Sequence, residues 1–293
     1  MAPKNIKLIV GSDSLVGKAL TQYFEMSGEE VIGTTRCRDT VGQKHLYLDL
    51  LDNPESWSFP SGIDTAFICA GVTKLEECRR DPDTSRRVNV DGTCKLIKNL
   101  INKGIFVIYL STNQVFDGSI PYCLPEEPFS PVTEYGRQKA ETERLINQWK
   151  DSVTVVRFTK ILGKENIFFS KWINDFKEDR AIYPFKDKYI SPVSLSFAVS
   201  VLKLAASQKI SGLLQVSGDK DISYADIACR IAELLKCDPK LVNPTEASKI
   251  DEDKETGGRY STLNTNRLKS VLGIESPDVW QTIDTVIGEL LTT

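Results

Sequence analysis

From Ile6 to Phe158 the chain alternates short apolar runs with amphipathic stretches, and this alternation restricts the fold more than any other feature. The runs "IKLIVG", "EVIGTT", "HLYLDL", "DTAFICAG", "FVIYLST" and "VTVVRF" read as strands. The stretches "LVGKALTQYFEMSG", "RRVNVDGTCKLIKNLINKG" and "YGRQKAETERLINQW" place apolar residues at helical spacing, the first ending at Gly28. Strands alternating with helices imply parallel pairing through right-handed crossovers, hence an α/β, Rossmann-like doubly wound parallel sheet. Ligands bind such sheets at the carboxyl ends of the strands. Beyond residue 160 the pattern changes: "GKENIFFSKWINDFKEDRAIYPFKDKY" mixes aromatics with charges and has a less regular period. "SLSFAVSVLKLAASQ" then reads as a helix, "GLLQVSG" as a strand, and "SYADIACRIAELLK" and "NTNRLKSVLG" as helices. The expected organisation is a dinucleotide-binding domain over residues 1–160, completed by 189–216. A smaller, mostly helical substrate-binding region over 161–188 and 217–293 caps its ligand edge.

Composition removes several function classes. A net charge of -3 offers no basic excess for nucleic acid. No apolar run approaches the roughly 18 residues of a membrane span, and the N-terminus reads as a first strand rather than a signal peptide. Seven cysteines form no C-x-x-C pair and no zinc spacing, which fits a reducing, cytoplasmic setting without a metal site. His45 is the only histidine, and its place at a strand entrance gives it a surface role. Any proton chemistry must therefore use other side chains.

Two loops point to a dinucleotide. "GSDSLVG" joins a strand to a helix, with Gly11 and Gly17 bracketing Ser14, Leu15 and Val16. Such a loop offers backbone N–H groups and a positive helix end to a pyrophosphate. Ser14 stands where a third glycine is common: it adds a Cβ where the backbone should approach the phosphate closely, although its hydroxyl can also donate to that phosphate. At the end of the second strand an NAD site usually has an acid for the ribose 2′-hydroxyl. Here "VIGTTRCRD" has Thr35, Arg36 and Arg38 instead, an exchange that favours the 2′-phosphate of NADP(H) over NAD(H).

In "FSPVTEYGRQKAETERL", Tyr135 and Lys139 lie one helical turn apart on one face. The pairing is weak evidence alone. It nevertheless suits ketone reduction, where the developing alkoxide needs a proton donor and a nearby cation lowers the tyrosine pKa.

The motifs "GSDSLVG", "CAGVTKLEECRRDPDTSRRVNVDGT", "STNQVFDG", "SPVTEYGRQKAETE" and "GGRYSTLNTNRLKSVLG" resemble the extended short-chain dehydrogenase/reductase family over nearly the whole chain. The likeness is strongest to its dTDP-4-dehydrorhamnose reductase branch, which also includes a non-catalytic regulatory subunit of methionine adenosyltransferase. The resemblance implies that Thr112, Tyr135 and Lys139 form the catalytic set, with Lys139 also holding the nicotinamide ribose. It implies that Asp49 and Leu50 border the adenine and that Ala70, Gly71 and Thr73 line the cofactor. Thr73, Asn113, Asp117, Asn166 and Arg259 are its candidate contacts to a nucleotide-diphosphate sugar, with Lys171 and Trp172 near them. The branch usually has Tyr at the place of Gln114 and often Trp where Lys160 stands, so the sugar itself is left open. The implied activity is NADPH-dependent reduction of a nucleotide-linked 4-keto sugar by a possible homodimer. An epimerase and an NADP-binding regulatory subunit are the alternatives. Asn113 and Gln114 cannot supply the acid–base pair that a dehydratase of the family carries beside its Thr or Ser.

Overall fold

The computed structural model describes residues 5–165, 167–247 and 257–292. The first half contains β1 (Ile6–Val10), α1 (Leu15–Met26), β2 (Val31–Thr35), β3 (His45–Tyr47) and β4 (Ile63–Ile68). It continues through α2 (Leu75–Arg80), α3 (Pro82–Arg86), α4 (Thr93–Asn102), β5 (Phe106–Thr112), α5 (Glu134–Ile146) and β6 (Val153–Phe158). The second half adds β7 (Ile161–Leu162), α6 (Ile167–Lys177), β8 (Tyr189–Ile190), β9 (Val193–Ser194), α7 (Leu195–Ser207) and β10 (Gly212–Val216). It closes with β11 (Ile222–Ser223), α8 (Tyr224–Leu235), α9 (Asn266–Leu272) and α10 (Val279–Leu291).

Seven strands form one parallel sheet in the order β10-β6-β5-β4-β1-β2-β3. The order reverses beside β1, which opens a crevice at the carboxyl ends of β1 and β4. Every residue of β1 is buried, as a strand covered on both faces must be. On one face Val16, Leu20 and Phe24 of α1 pack with Val199, Leu202 and Ala205 of α7. On the other, Leu96, Ile97 and Leu100 of α4 pack with Ile146 of α5. A separate apolar core joins α6, α8 and α10 through Phe169, Ile173, Phe176, Ile227, Ile231, Ile283 and Val286.

Two segments differ from the sequence reading. The irregular stretch after residue 160 forms α6, whose Phe169, Trp172, Ile173 and Phe176 repeat at helical spacing on its buried side. Trp172 is 6% exposed and packs against Phe168 and Tyr224, so it is core rather than a base-stacking platform. The helix expected through "RRVNVDGTCKLIKNLINKG" also has an extra residue per turn over Arg87–Gly92, ahead of α4. There a Cβ on Gly92 would stand 2.1 Å from the Leu50 carbonyl oxygen, so the close approach needs glycine. Among the described residues, no helix is long and apolar enough to cross a membrane.

Candidate active site

The loop after β1 is packed too tightly for side chains. Gly11 has φ +81, and a Cβ there would lie 2.7 Å from the Ala70 Cα. A Cβ on Gly17 would lie 2.2 Å from the Gly11 carbonyl oxygen. Ser14 caps α1: its Oγ accepts from the Gly17 N–H at 3.1 Å and donates to the Gly11 carbonyl at 2.8 Å. Its proton is thus committed to the loop, a correction to the phosphate-donor reading.

A cavity of about 250 Å³ opens beside this loop, lined by Gly11, Ser14, Arg36, Asp49, Leu50, Ala70 and Gly71. Its shape and donor set suit an adenosine phosphate arm. The exposed Arg36 stands at its rim, whereas Arg38 is turned onto the Tyr47 ring, 4.1 Å from the centroid. Asp13, also on the lining, accepts from the Thr35 hydroxyl at 2.9 Å. This carboxylate escaped sequence reasoning because it comes from the glycine loop rather than from the end of β2.

A second cavity of about 500 Å³ lies beside the first, sharing Ser14, Cys69 and Ala70 on its walls. Leu15, Val16, Thr73, Thr112, Asn113, Gln114, Tyr135 and Lys139 all line it. The helix that carries Tyr135 and Lys139 is set by its cap: Thr133 Oγ1 accepts from the Gly136 N–H at 3.0 Å and donates to Gln114 Oε1 at 3.0 Å. Gly136 has no room for a side chain, since a Cβ would sit 2.2 Å from the Gln114 carbonyl oxygen. Tyr135 therefore enters in the first turn of α5 and Lys139 in the second. Lys139 Nζ donates to the Leu110 carbonyl at 2.8 Å and lies 5.9 Å from the Tyr135 ring centroid. Thr112 closes β5, and its Oγ1 accepts from the Gln114 N–H at 3.2 Å.

Electrostatics revise one expectation. Lys139 does not lower the Tyr135 pKa; burial instead pushes the phenol above its ordinary value. Burial also lowers the Lys139 ammonium to about 8, with the Glu143 carboxylate opposing that shift. The ammonium is drawn to the Leu110 carbonyl and the Tyr109 ring face, 4.5 Å from that centroid, so the phenol stays protonated.

Supporting residues were not legible as such. Asn89, inside the widened helical turn, accepts from the Val72 N–H at 2.8 Å and donates to Val72 O and Gln138 Oε1. It ties the loop after β4 to α5. Beneath Lys139, Glu143 pairs with Arg157 at 2.7 Å, and both side chains are at most 5% exposed. Ser111 also donates to this carboxylate.

Three candidate substrate contacts are not on the described cleft wall. Asp117 accepts from the Ser119 N–H at 2.8 Å, so it builds its Asp-Gly turn rather than lining the cleft. Arg259 is exposed and stacks on Tyr189 and Tyr260, with centroids 5.6 and 5.2 Å away. Lys171 is exposed on α6. Asn166 lies outside the described residues. Among the described residues, no cluster of three or more His, Cys, Asp or Glu could hold a metal.

Known proteins resemble this chain over most of its length. The bovine (Bos taurus) methionine adenosyltransferase 2 subunit beta is 24% identical over 289 residues, covering 93% of this chain and 84% of its own. A dTDP-4-dehydrorhamnose reductase of Streptomyces griseus is 25% identical over 290 residues, covering 95% and 91%. The crystal structure of dTDP-4-dehydrorhamnose reductase from Bacillus anthracis in complex with NADP superposes with a TM-score of 0.84 at 19% identity, over the full length of both chains. The RmlD substrate binding domain model matches residues 5–292, and the chain belongs to that family.

Proposed function

We propose that this protein is an NADP(H)-dependent reductase of a keto group on a nucleotide-linked sugar. The observation that carries the reading is the adjacency of two cavities: a glycine-loop cavity rimmed by Arg36 shares Ser14, Cys69 and Ala70 with one lined by Thr112, Tyr135 and Lys139. NADPH held along the glycine loop, with Arg36 at its 2′-phosphate and Lys139 at its nicotinamide ribose, would supply the hydride that reduces the carbonyl carbon to the alcohol. Thr112 orients the carbonyl oxygen by hydrogen bonding. Tyr135, held protonated by its burial, gives its proton to that oxygen as negative charge develops. Solvent then reprotonates the phenolate left behind, and Lys139 holds the nicotinamide ribose from the next turn of the helix. The loops after β1, β2 and β4 hold the cofactor, and Lys188, Tyr189, Tyr224 and Tyr260 face the sugar nucleotide across the cleft.

Loss of NADPH absorbance with dTDP- and UDP-linked 4-keto-6-deoxysugars tests the reading, and tight NADPH binding without turnover on any of them defeats it. That outcome is the signature of a second reading, an NADP-binding regulatory subunit, which the match to the bovine beta subunit favours.

Two further results are expected. Arg36→Ala weakens NADPH binding about 10- to 100-fold, the range of a lost charge-assisted hydrogen bond, and leaves NADH within about threefold. Calorimetric titration of both cofactors checks this. The Lys139 ammonium of the free protein loses its proton as pH rises through about 8. NADPH affinity therefore falls above that pH with the slope of one proton, whereas a flat profile from about pH 6.5 to 9.5 removes Lys139 from the cofactor site.

A further inference from the structure

The cleft that holds Tyr135 has an unusual charge balance. Among the described residues three lysines line it, Lys139, Lys160 and Lys188, and no Asp or Glu does. Two of the three have their ammonium groups engaged: Lys139 donates to Leu110 O, and Lys188 donates to Gly257 O at 2.7 Å. Among the described residues, Lys160 Nζ has no hydrogen bond and no ion pair. Its backbone is nonetheless fixed, because the Val193 N–H donates to the Lys160 carbonyl at 3.0 Å and β7 pairs with β9 directly after it. Crowding by the cleft walls lowers the ammonium pKa even though the residue opens to solvent, as expected for a cation without a counter-charge.

Register places this cation beside the reacting end of the cleft. Thr112 pairs with Phe158 across β5 and β6, and Phe158, Thr159 and Lys160 then follow along the same wall. Lys160 follows two residues after the rung that presents the Thr112 hydroxyl, and both residues line the same cleft. In a 4-keto pyranose C6 is carried by C5, the ring carbon bonded to the reacting C4, whereas the diphosphate leaves from C1 across the ring. An anionic group at C6 is thus the part of a sugar nucleotide that meets Lys160.

We infer that Lys160 selects a substrate whose sugar carries a carboxylate on the ring carbon beside the reacting carbonyl: a nucleotide-linked keto-uronic acid rather than a neutral deoxysugar. This rests on the reductase reading for its catalytic form, but recognition of the carboxylate can be measured without turnover. The Lys160 ammonium forms a charge-assisted hydrogen bond to the carboxylate and positions the ring for Thr112 and Tyr135. Lys160 takes no part in the proton transfer.

The test titrates a UDP-hexuronic acid and the matching UDP-hexose into the NADP⁺-loaded protein and its Lys160→Met variant. The wild type is expected to bind the uronic acid at least 10-fold more tightly. Lys160→Met abolishes that preference and leaves UDP-hexose within threefold. Equal losses for both ligands overturn the inference and assign Lys160 to the diphosphate, which both carry. No preference in the wild type also overturns it. Unchanged NADP⁺ affinity and an unchanged melting temperature show that the variant is folded. Carboxylate selectivity without any NADPH consumption retains the inference and rejects only the reductase reading.

Discussion

Replacing Tyr135 by Phe lowers turnover about 10²-fold or more while NADPH affinity stays within about twofold. The change removes one oxygen atom and keeps the ring, so the first turn of α5, its Thr133 cap and the position of Lys139 are retained. What goes is the proton donor, and a hundredfold loss corresponds to about 2.7 kcal/mol of transition-state stabilisation. The loss falls on kcat, because the proton moves only as charge builds on the carbonyl oxygen. Steady-state rates together with cofactor titration check the result. Turnover unchanged in the Phe variant transfers the acid role away from Tyr135.

Arg157→Leu destabilises the fold by about 3–5 kcal/mol, because it leaves the Glu143 carboxylate buried without its cation. Two Arg157 nitrogens reach that carboxylate at 2.7 and 3.0 Å, and a third hydrogen-bonds Gln215 Oε1 at 3.2 Å. With Ser111 on the opposite side, the network clamps α5 between β5, β6 and β10. At about 2–4 °C per kcal/mol for domains approaching this size, the melting temperature drops on the order of 10 °C. Replacing both partners by Leu removes the orphaned charge and restores most of that loss. Thermal denaturation of the two single variants and the double variant separates charge from packing. Equal destabilisation of single and double variants means that the arginine matters for its shape.

The sheet was legible because its strands are apolar throughout and its helices keep a 3.6-residue period, as in "FVIYLST" and "LVGKALTQYF". The glycine loop and the Tyr135–Lys139 spacing located the cleft for the same local reason. Three features were not readable. In α6 the charged Asp175 interrupts the apolar side, and it is itself buried and paired with Arg180. The Glu143–Arg157 pair joins a helix to a strand, and Glu143 reads as a surface residue in "KAETERL". The one hint was Arg157 inside "VTVVRF", since a charge within a strand covered on both faces must find a partner. The pKa reversal at Tyr135 and Lys139 depends on burial, which no spacing conveys.

The position of β10 also bears on how the molecule is made. Its partner in the sheet is β6, yet all of α6, β8, β9 and α7 lie between them in sequence. While a ribosome delivers that intervening stretch at about 5–20 residues per second, the outer rim of β6 waits several seconds with its peptide groups unmatched. Nascent chains of this protein thus pass through an interval in which "VTVVRF" can pair with a neighbouring copy, and cellular holdases have their best opportunity to act then.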